Sequence, residues 1–251
     1  MRTRSHGATD TGKVRAHNED AHRGDDRLGL YVVCDGVGGR ARGEVAAELT
    51  VESISGWVAR ELPALRALPQ SDARAGRLGA MLWQAIQHAC YMVHSMGRFD
   101  PEHKGMSTTV SALLVLDGLG VVGQVGDSRI YLARAGEVRQ ITDDHTVVAE
   151  RLRRGEITAA EARASKMRNL ITRAVGMKDH VQPDIRTVEL RAGDRVLLCS
   201  DGLHEYLDDA ADLAALFRLP LAEAARRAII HANDRGGKDN ITALFVECLA
   251  D

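Results

Sequence analysis

Residues 28–39 read Leu28-Gly29-Leu30-Tyr31-Val32-Val33-Cys34-Asp35-Gly36-Val37-Gly38-Gly39, and this stretch decides the fold. Residues 28–34 are apolar apart from one glycine, the pattern of a buried strand. The strand ends in a carboxylate followed by Gly36, Gly38 and Gly39. An Asp at the end of a buried strand is costly unless something pairs with it. A lone Asp-Gly is ordinary turn chemistry, but here the arrangement recurs. The run 195–199 delivers Ser200-Asp201-Gly202, and the run 119–125 delivers Gly126-Asp127-Ser128-Arg129. Asp239 precedes the strand-like 241–246, and Asn18-Glu19-Asp20 precedes the first strand. Acids brought together at strand ends repel one another unless a hard cation neutralises them. An all-oxygen set suits Mg²⁺ or Mn²⁺, whereas Zn²⁺ prefers His and Cys.

The length of 251 residues allows one large domain or two small ones, and 45% hydrophobic content supports a sizeable core. The net charge of −2, from 33 basic and 35 acidic residues, argues against nucleic-acid or anionic-membrane binding through bulk charge. Cys34, Cys90, Cys199 and Cys248 lie far apart with no metal-ligand spacing, which predicts buried reduced thiols and fits the cytoplasm. No apolar stretch reaches the length of a membrane span, and the polar N-terminus is no signal peptide.

Working outward, residues 6–14 read as an entry strand or loop and 15–20 as a polar lead-in. A helix is predicted over 44–58, where Ala46, Leu49, Ser53 and Trp57 form a stripe. Residues 61–75, with Pro63 and Pro69, read as a loop. A long helix follows from about 77 to 96, with Leu78, Leu82, Ala85, Ala89, Val93 and Met96 on one face. Residues 107–141 read as antiparallel strands, with hairpins at Asp117-Gly118 and at Ala135-Gly136-Glu137. Residues 144–176 break the pattern as a charged insert with helical pieces. Strands return at 185–190, 195–200 and 241–247, with helices near 210–217 and 221–233. The order predicts an α+β domain of mainly antiparallel sheets covered by helices.

These residues resemble the metal-dependent protein phosphatase (PPM) family, the type 2C serine/threonine phosphatases. The motifs appear in order: Arg15-x-x-Asn18-Glu19-Asp20, Asp35-Gly36-x-Gly38-Gly39, Ser107-Thr108-Thr109, Gly126-Asp127-Ser128-Arg129, Asp144-His145, Ser200-Asp201-Gly202 and Asp239-Asn240. The insert resembles the flap of the bacterial branch through Leu152, Gly155, Ile157, Glu161-Ala162, Arg168-Asn169, Arg173-Ala174 and Gly176. The resemblance implies a four-layer αββα sandwich formed by a single domain over 1–251, with the flap at about 144–176. It implies two Mn²⁺ or Mg²⁺ ions bridged by Asp35. Asp201 and Asp239 match the ligands of one ion; the Gly36 carbonyl and an acid from Glu19-Asp20, with Asp20 favoured, match those of the other. Asp127 matches the acid of a weaker third ion. Arg15 matches the residue that holds the substrate phosphate, as a guanidinium fork suits phosphate.

The implied activity is hydrolysis of phosphoserine and phosphothreonine in proteins, the targets of a serine/threonine kinase, by a monomeric cytoplasmic enzyme using a metal-activated water. The alternatives are a hydrolase of small phosphoesters or nucleotides, or an inactive phosphatase-like binding module. No GxxxxGK[ST] loop supports the nucleotide reading. Two departures stand out: Val37 occupies a position where many relatives carry His or Met, and Ser165-Lys166 stands where the flap often reads His-Pro. With Val37 unable to give a proton, water is the first candidate for protonating the leaving group. His204, three residues after Asp201, is the second candidate, against the plainer reading that it packs in the turn.

Overall fold

The structure is a computed structural model that describes residues 1–37, 42–207 and 210–250. Gly38 and Gly39 of the opening motif lie outside the described residues. In chain order the strands are β1 (Arg2–Asp10), β2 (Asp20–Asp25), β3 (Leu30–Val37), β4 (Ser107–Thr108), β5 (Val110–Leu116), β6 (Leu119–Val125), β7 (Arg129–Arg134), β8 (Glu137–Gln140), β9 (Asp184–Glu189), β10 (Arg195–Cys199) and β11 (Ile241–Leu249). The α-helices are α1 (Gly43–Arg66), α2 (Asp72–Phe99), α3 (Val147–Arg153), α4 (Ala159–Ala164), α5 (Asp201–His204), α6 (Ala210–Phe217) and α7 (Leu221–Asp234).

Two antiparallel sheets form, ordered β1-β11-β10-β7-β8 and β2-β3-β5-β6-β9, with β4 pairing β3 at its end. Because successive strand residues face opposite ways, each inner strand feeds two interfaces. Tyr31, Val33, Leu113, Leu198, Leu244 and Val246 pack between the sheets. Leu30, Val32, Ala112 and Leu114 face α1 and α2; Leu197, Cys199, Ala243 and Phe245 face α5–α7. The layers are therefore helix, sheet, sheet, helix, the αββα sandwich that the sequence implies. All four cysteines are buried and free. Among the described residues no helix is long and apolar enough to cross a membrane.

Both hairpins form with two-residue turns, and both take the left-handed conformation that such turns require: Asp117 (φ 50) with Gly118 (φ 83), and Ala135 (φ 51) with Gly136 (φ 88). Glu137 belongs to β8 rather than to the turn.

Two expectations are corrected, and a strand forms where the sequence carries no pattern for one. Residues 61–75 are mostly helical: α1 runs to Arg66 with Pro63 inside it, and α2 starts at Asp72. Pro63 lacks an N–H and normally breaks a helix, but Leu62 is fully buried and Leu65 packs on the same core, so burial carries the helix through. The start of α2 is set by Ser71, whose side chain accepts from the Arg74 N–H. Finally, the polar segment 20–25 is a strand, β2, because it pairs with β3 along its whole length. Its sequence, DAHRGD, carries no apolar alternation to announce it.

Candidate active site

The strands β3 and β10 end, and β11 begins, at the same end of the sandwich, so Asp35, Asp201 and Asp239 meet there. Asp127 follows β6 and Glu19 precedes β2. Arg15, Glu19, Asp35, Asp127, Asp201 and Asp239 line one cavity of about 310 Å³, which also includes Gly36 and Val37.

Asp35 is held by its main chain. Its N–H donates to Thr109 Oγ1 (3.0 Å), and its carbonyl accepts from the Thr109 N–H (2.9 Å) and the Thr108 hydroxyl (2.8 Å). Those bonds leave the carboxylate to face the cavity. Gly36 allows a close backbone approach in the site: a Cβ there would lie 2.4 Å from the Gly43 carbonyl oxygen and 2.5 Å from that of Glu19. Any side chain would push these segments apart, so the residue must be glycine.

Glu19 and Asp20 divide differently from expectation. Asp20 was favoured as the direct ligand, but Glu19 is the one that lines the cavity. Asp20 lies opposite Asp35 in the β2–β3 register. Its Oδ2 accepts from the hydroxyls of Ser200 (2.7 Å) and Thr242 (2.6 Å), while its Oδ1 is buried with no partner. Asn240 sets the approach to both acids: its Oδ1 accepts from the Glu19 N–H (2.8 Å), and its Nδ2 donates to the carbonyls of Thr11 and His17 (2.9 Å each).

Burial and mutual repulsion push these acids upward. Burial, then the charges of Asp20 and Asp201, raises Asp35 well above the usual carboxylate range. Burial, then Asp127 and Asp239, does the same to Asp201. Burial lifts Asp20 to about 6 against its two hydroxyl bonds. Asp127 rises to about 7, through burial and then the charge of Asp144. Glu19 also rises, through burial and then Glu44.

One cation meets these acids at the rim. Arg15 Nη2 donates to Asp239 Oδ2 at 2.6 Å, and that bond raises the arginine's pKa against burial. The arginine is half-exposed, so its fork is open to solvent on the cavity side. Among the described residues no group of three or more His, Cys, Asp or Glu stands at metal-ligand spacing. The acids ring the cavity instead, with Asp239 drawn to Arg15 and Asp20 to its hydroxyls. The donor set nevertheless suits a hard divalent cation: all its atoms are oxygen, it carries an orphaned buried oxygen on Asp20, and its acids destabilise one another's charge.

Of the two readings of His204, the geometry favours the plainer one. It sits in α5, buried, with Nε2 3.0 Å from the carbonyl oxygen of Asp127. Burial, then Arg129, holds its pKa well below the ordinary imidazole value. The ring is therefore committed to the Asp127 main chain, which favours the plainer reading of packing in the turn over proton donation. Val37 lies at the cavity and brings no proton, as expected.

The insert of 144–176 stands beside this cavity. A second cavity of about 260 Å³ lies between its helices α3 and α4 and the acids, touching Asp127, Asp201, Val148 and Leu152. Asn169 Nδ2 and Arg168 Nη2 donate to the Glu205 carboxylate at 2.7 and 3.3 Å. Glu205 and Thr242 escaped the sequence reading, which stopped at the acids. Thr242 is a polar residue inside a buried strand, and that mismatch was the available signal.

A model of the family described as protein phosphatase 2C matches residues 10–233. The chain is 33% identical over 246 residues to the protein phosphatase PhpP of Streptococcus pneumoniae, covering 95% of this chain and 94% of that one. The crystal structure of the Mycobacterium tuberculosis serine/threonine phosphatase PstP superposes with a TM-score of 0.87 at 35% identity, covering 100% of both chains. The catalytic domain of PstP in complex with two manganese ions matches with a TM-score of 0.84 at 35% identity, covering 99% of each chain. The architecture, the ring of strand-end acids and these likenesses agree: the chain belongs to the protein phosphatase 2C family.

Proposed function

We propose that the protein is a metal-dependent phosphoprotein phosphatase that hydrolyses phosphoserine and phosphothreonine. The observation that carries this reading is the single cavity ringed by Asp35, Asp127, Asp201, Asp239 and Glu19 with Arg15 at its rim. Asp35, Asp201 and Asp239 would hold one Mn²⁺ or Mg²⁺ ion; Asp35, the Gly36 carbonyl and Glu19 would hold the second, with the orphaned Asp20 Oδ1 behind them. Asp127 would serve a weaker third ion. Such cations would supply an acidified water as nucleophile and charge stabilisation for in-line displacement at phosphorus.

The chain's own residues do the rest. Arg15 leaves one side of its fork for a phosphate while its other side stays on Asp239, which orients the ester over the acids. The phosphorus–oxygen bond to the serine or threonine breaks, and the departing oxygen takes its proton from water, because Val37 has none and His204 faces a carbonyl. The substrates are proteins phosphorylated by a serine/threonine kinase, the protein works as a monomer in the cytoplasm, and residues 1–251 act as a single domain. Assay of metal-stripped protein on a phosphothreonine peptide and on nucleotides tests the reading. The expected result is peptide turnover only after Mn²⁺ or Mg²⁺ is added. Full activity with EDTA present, or faster turnover of nucleotides than of peptide, overturns it.

A further inference from the structure

The Asp144-His145 pair is part of the family motif, yet nothing above uses the histidine. Its surroundings give it a task. The turn that carries Asp127 begins at Gly126, which has φ +92; a Cβ there would lie 2.6 Å from Thr109 Cγ2. Gln124 Nε2 donates to the carbonyls of Gly126 (3.2 Å) and Ser128 (2.6 Å), and His204 meets the carbonyl of Asp127. His145 takes the remaining side. Its N–H donates to the Gly126 carbonyl at 2.9 Å, and its Nδ1 lies 3.2 Å from the Gly126 nitrogen. The ring is 1% exposed.

That geometry fixes the ring's proton. The Gly126 N–H is always a donor, so Nδ1 must present its lone pair. Nε2 then carries the hydrogen, and Asp184 Oδ2 stands 3.3 Å away to accept it. Arg173 Nη1 is also 3.3 Å from Nε2, and it donates to Asp184 Oδ1 (2.9 Å) and to the Gln182 carbonyl (3.1 Å). The opposite tautomer, with Nε2 accepting from Arg173, would set Nδ1–H against the Gly126 N–H. His145 is also the foot of the insert: its carbonyl accepts from the Thr172 N–H at 2.8 Å, beside the bridge between Thr146 and Ile171.

We propose that His145 is a positioning residue that aims Asp127 into the cavity, with Nδ1 accepting from Gly126 and Nε2–H donated to Asp184, and that it ties the Asp127 turn to the foot of the insert. The inference rests on Asp127 being one of the metal-holding acids. Partners of this kind, one bond removed from a ligand, typically change metal affinity or activity by about 10–100-fold when lost.

Two measurements test it. In the wild-type protein without metal, long-range ¹H–¹⁵N spectra of His145 should show Nδ1 unprotonated and Nε2 protonated; a protonated Nδ1 overturns the inference whatever the activity. Side-chain replacement provides the second measurement. Asn places an amide oxygen near the position of Nδ1, whereas Gln places its polar end near Nε2. H145Q should therefore lose about 10–100-fold in kcat with KM little changed, and calorimetric Mn²⁺ titration should show its weaker binding step lost while tight binding survives. H145N should recover most of both. Folded H145Q that matches wild type in kcat and in Mn²⁺ binding, beside an impaired D127A, sinks the role of His145 alone. If D127A is itself unimpaired, the assignment of Asp127 fails instead, and with it the purpose of the clamp.

Discussion

The two ends of the sandwich treat acids in opposite ways. At the end where β3 and β10 stop, Asp35, Asp127 and Asp201 crowd together, and burial and the charge of neighbouring acids push each upward. At the other end of the same strands every acid considered has a guanidinium. Arg134 holds Asp194 (2.6 Å), Arg195 and Arg4 hold Glu247 (2.7 Å each), and the buried Arg74 holds Asp117. Those three acids are lowered, although burial works against the pairing in each case. Both ends are built from the same strands, so the difference does not come from the fold. At the crowded end the arginines are spent on different acids: Arg15 on Asp239, Arg129 on Asp144 and Arg168 on Glu205. Among the described residues Asp35, Asp127 and Asp201 are thus left with no ion-pair partner, and that end stays electrostatically unsatisfied. That is the condition under which a site binds cations and carries out chemistry.

The sharpest way to break the comparison is to discharge the crowded end. Asp35→Asn removes the acid proposed to hold both ions, and kcat should fall by about 10³-fold or more, since loss of a metal pair would forfeit its transition-state stabilisation. The fold should survive or gain in metal-free buffer, because a repelling charge has gone. A variant with near wild-type kcat would show that the acid end is not the seat of the reaction.

The second test uses pH and needs no substrate. Asp127 at about 7 and Asp20 at about 6 lie above the unfolded carboxylate value near 4. A raised folded-state pKa gives stability that is complete below the unfolded value and is lost as pH rises through the folded one. Burial lowers His22, His145 and His204, and these work the other way over the same window. The acids' share is therefore read by difference: from about pH 7.5 to about 5, metal-free wild type should gain more thermal stability than D127N, by on the order of a kcal/mol or more. Asp194, Glu247 and Asp117 have the opposite sign: their contribution is present above about pH 4 and lost below it. The melting temperature should therefore turn over at lower pH. Saturating Mn²⁺ should raise stability at pH 7.5 and abolish the gain on acidification. The same pH dependence in metal-free wild type and D127N would mean that Asp127 is not frustrated at the site.

Arg15→Ala should have a smaller effect. With its fork gone, KM for a phosphopeptide and the inhibition constant for inorganic phosphate should each rise by about 10-fold, as expected for a charge-assisted hydrogen bond worth about 1.5 kcal/mol or more. Tight metal binding should persist. Unchanged phosphate inhibition would remove Arg15 from the site and leave it as a partner of Asp239 alone.

The crowded end was the easier one to read from sequence. An apolar run broken by Asp-Gly is a conspicuous conflict between burial and charge, and it recurs at Asp35 and Asp201. The same logic found β3, β5, β6, β10 and β11, whose interiors are buried on both faces. What escaped was structure set by partners. Strand β2 exists because β3 pairs with it, and α1 runs through Pro63 because Leu62 has a core to enter. Within the site, sequence located the acids but chose Asp20 over Glu19. Which of two neighbouring acids faces a cavity depends on the hydroxyls of Ser200 and Thr242, and these come from strands far along the chain. His204 shows the same limit: its place three residues after Asp201 left packing in the turn and proton donation both open, and only the Asp127 carbonyl decides which way its ring points.

The last prediction carries the smallest effect on activity, and it tests the comparison from the satisfied end. Asp194 is 2% exposed and accepts from Arg134 at 2.8 and 2.6 Å and from the Arg191 N–H at 2.8 Å. Asp194→Asn keeps the shape but removes the ion pair, leaving Arg134 with a neutral neighbour. Because Arg134 is about one-third exposed, water recovers part of the loss, and the cost should be about 1–2 kcal/mol. Denaturant unfolding should show that loss, while kcat and KM per folded molecule stay at wild-type values. Asp194 touches β7, β10 and β11, all of which run to the acid end, so a fall in kcat without a matching loss of folded protein would mean the two ends communicate through these strands. The division into a structural end and a chemical end would then be wrong.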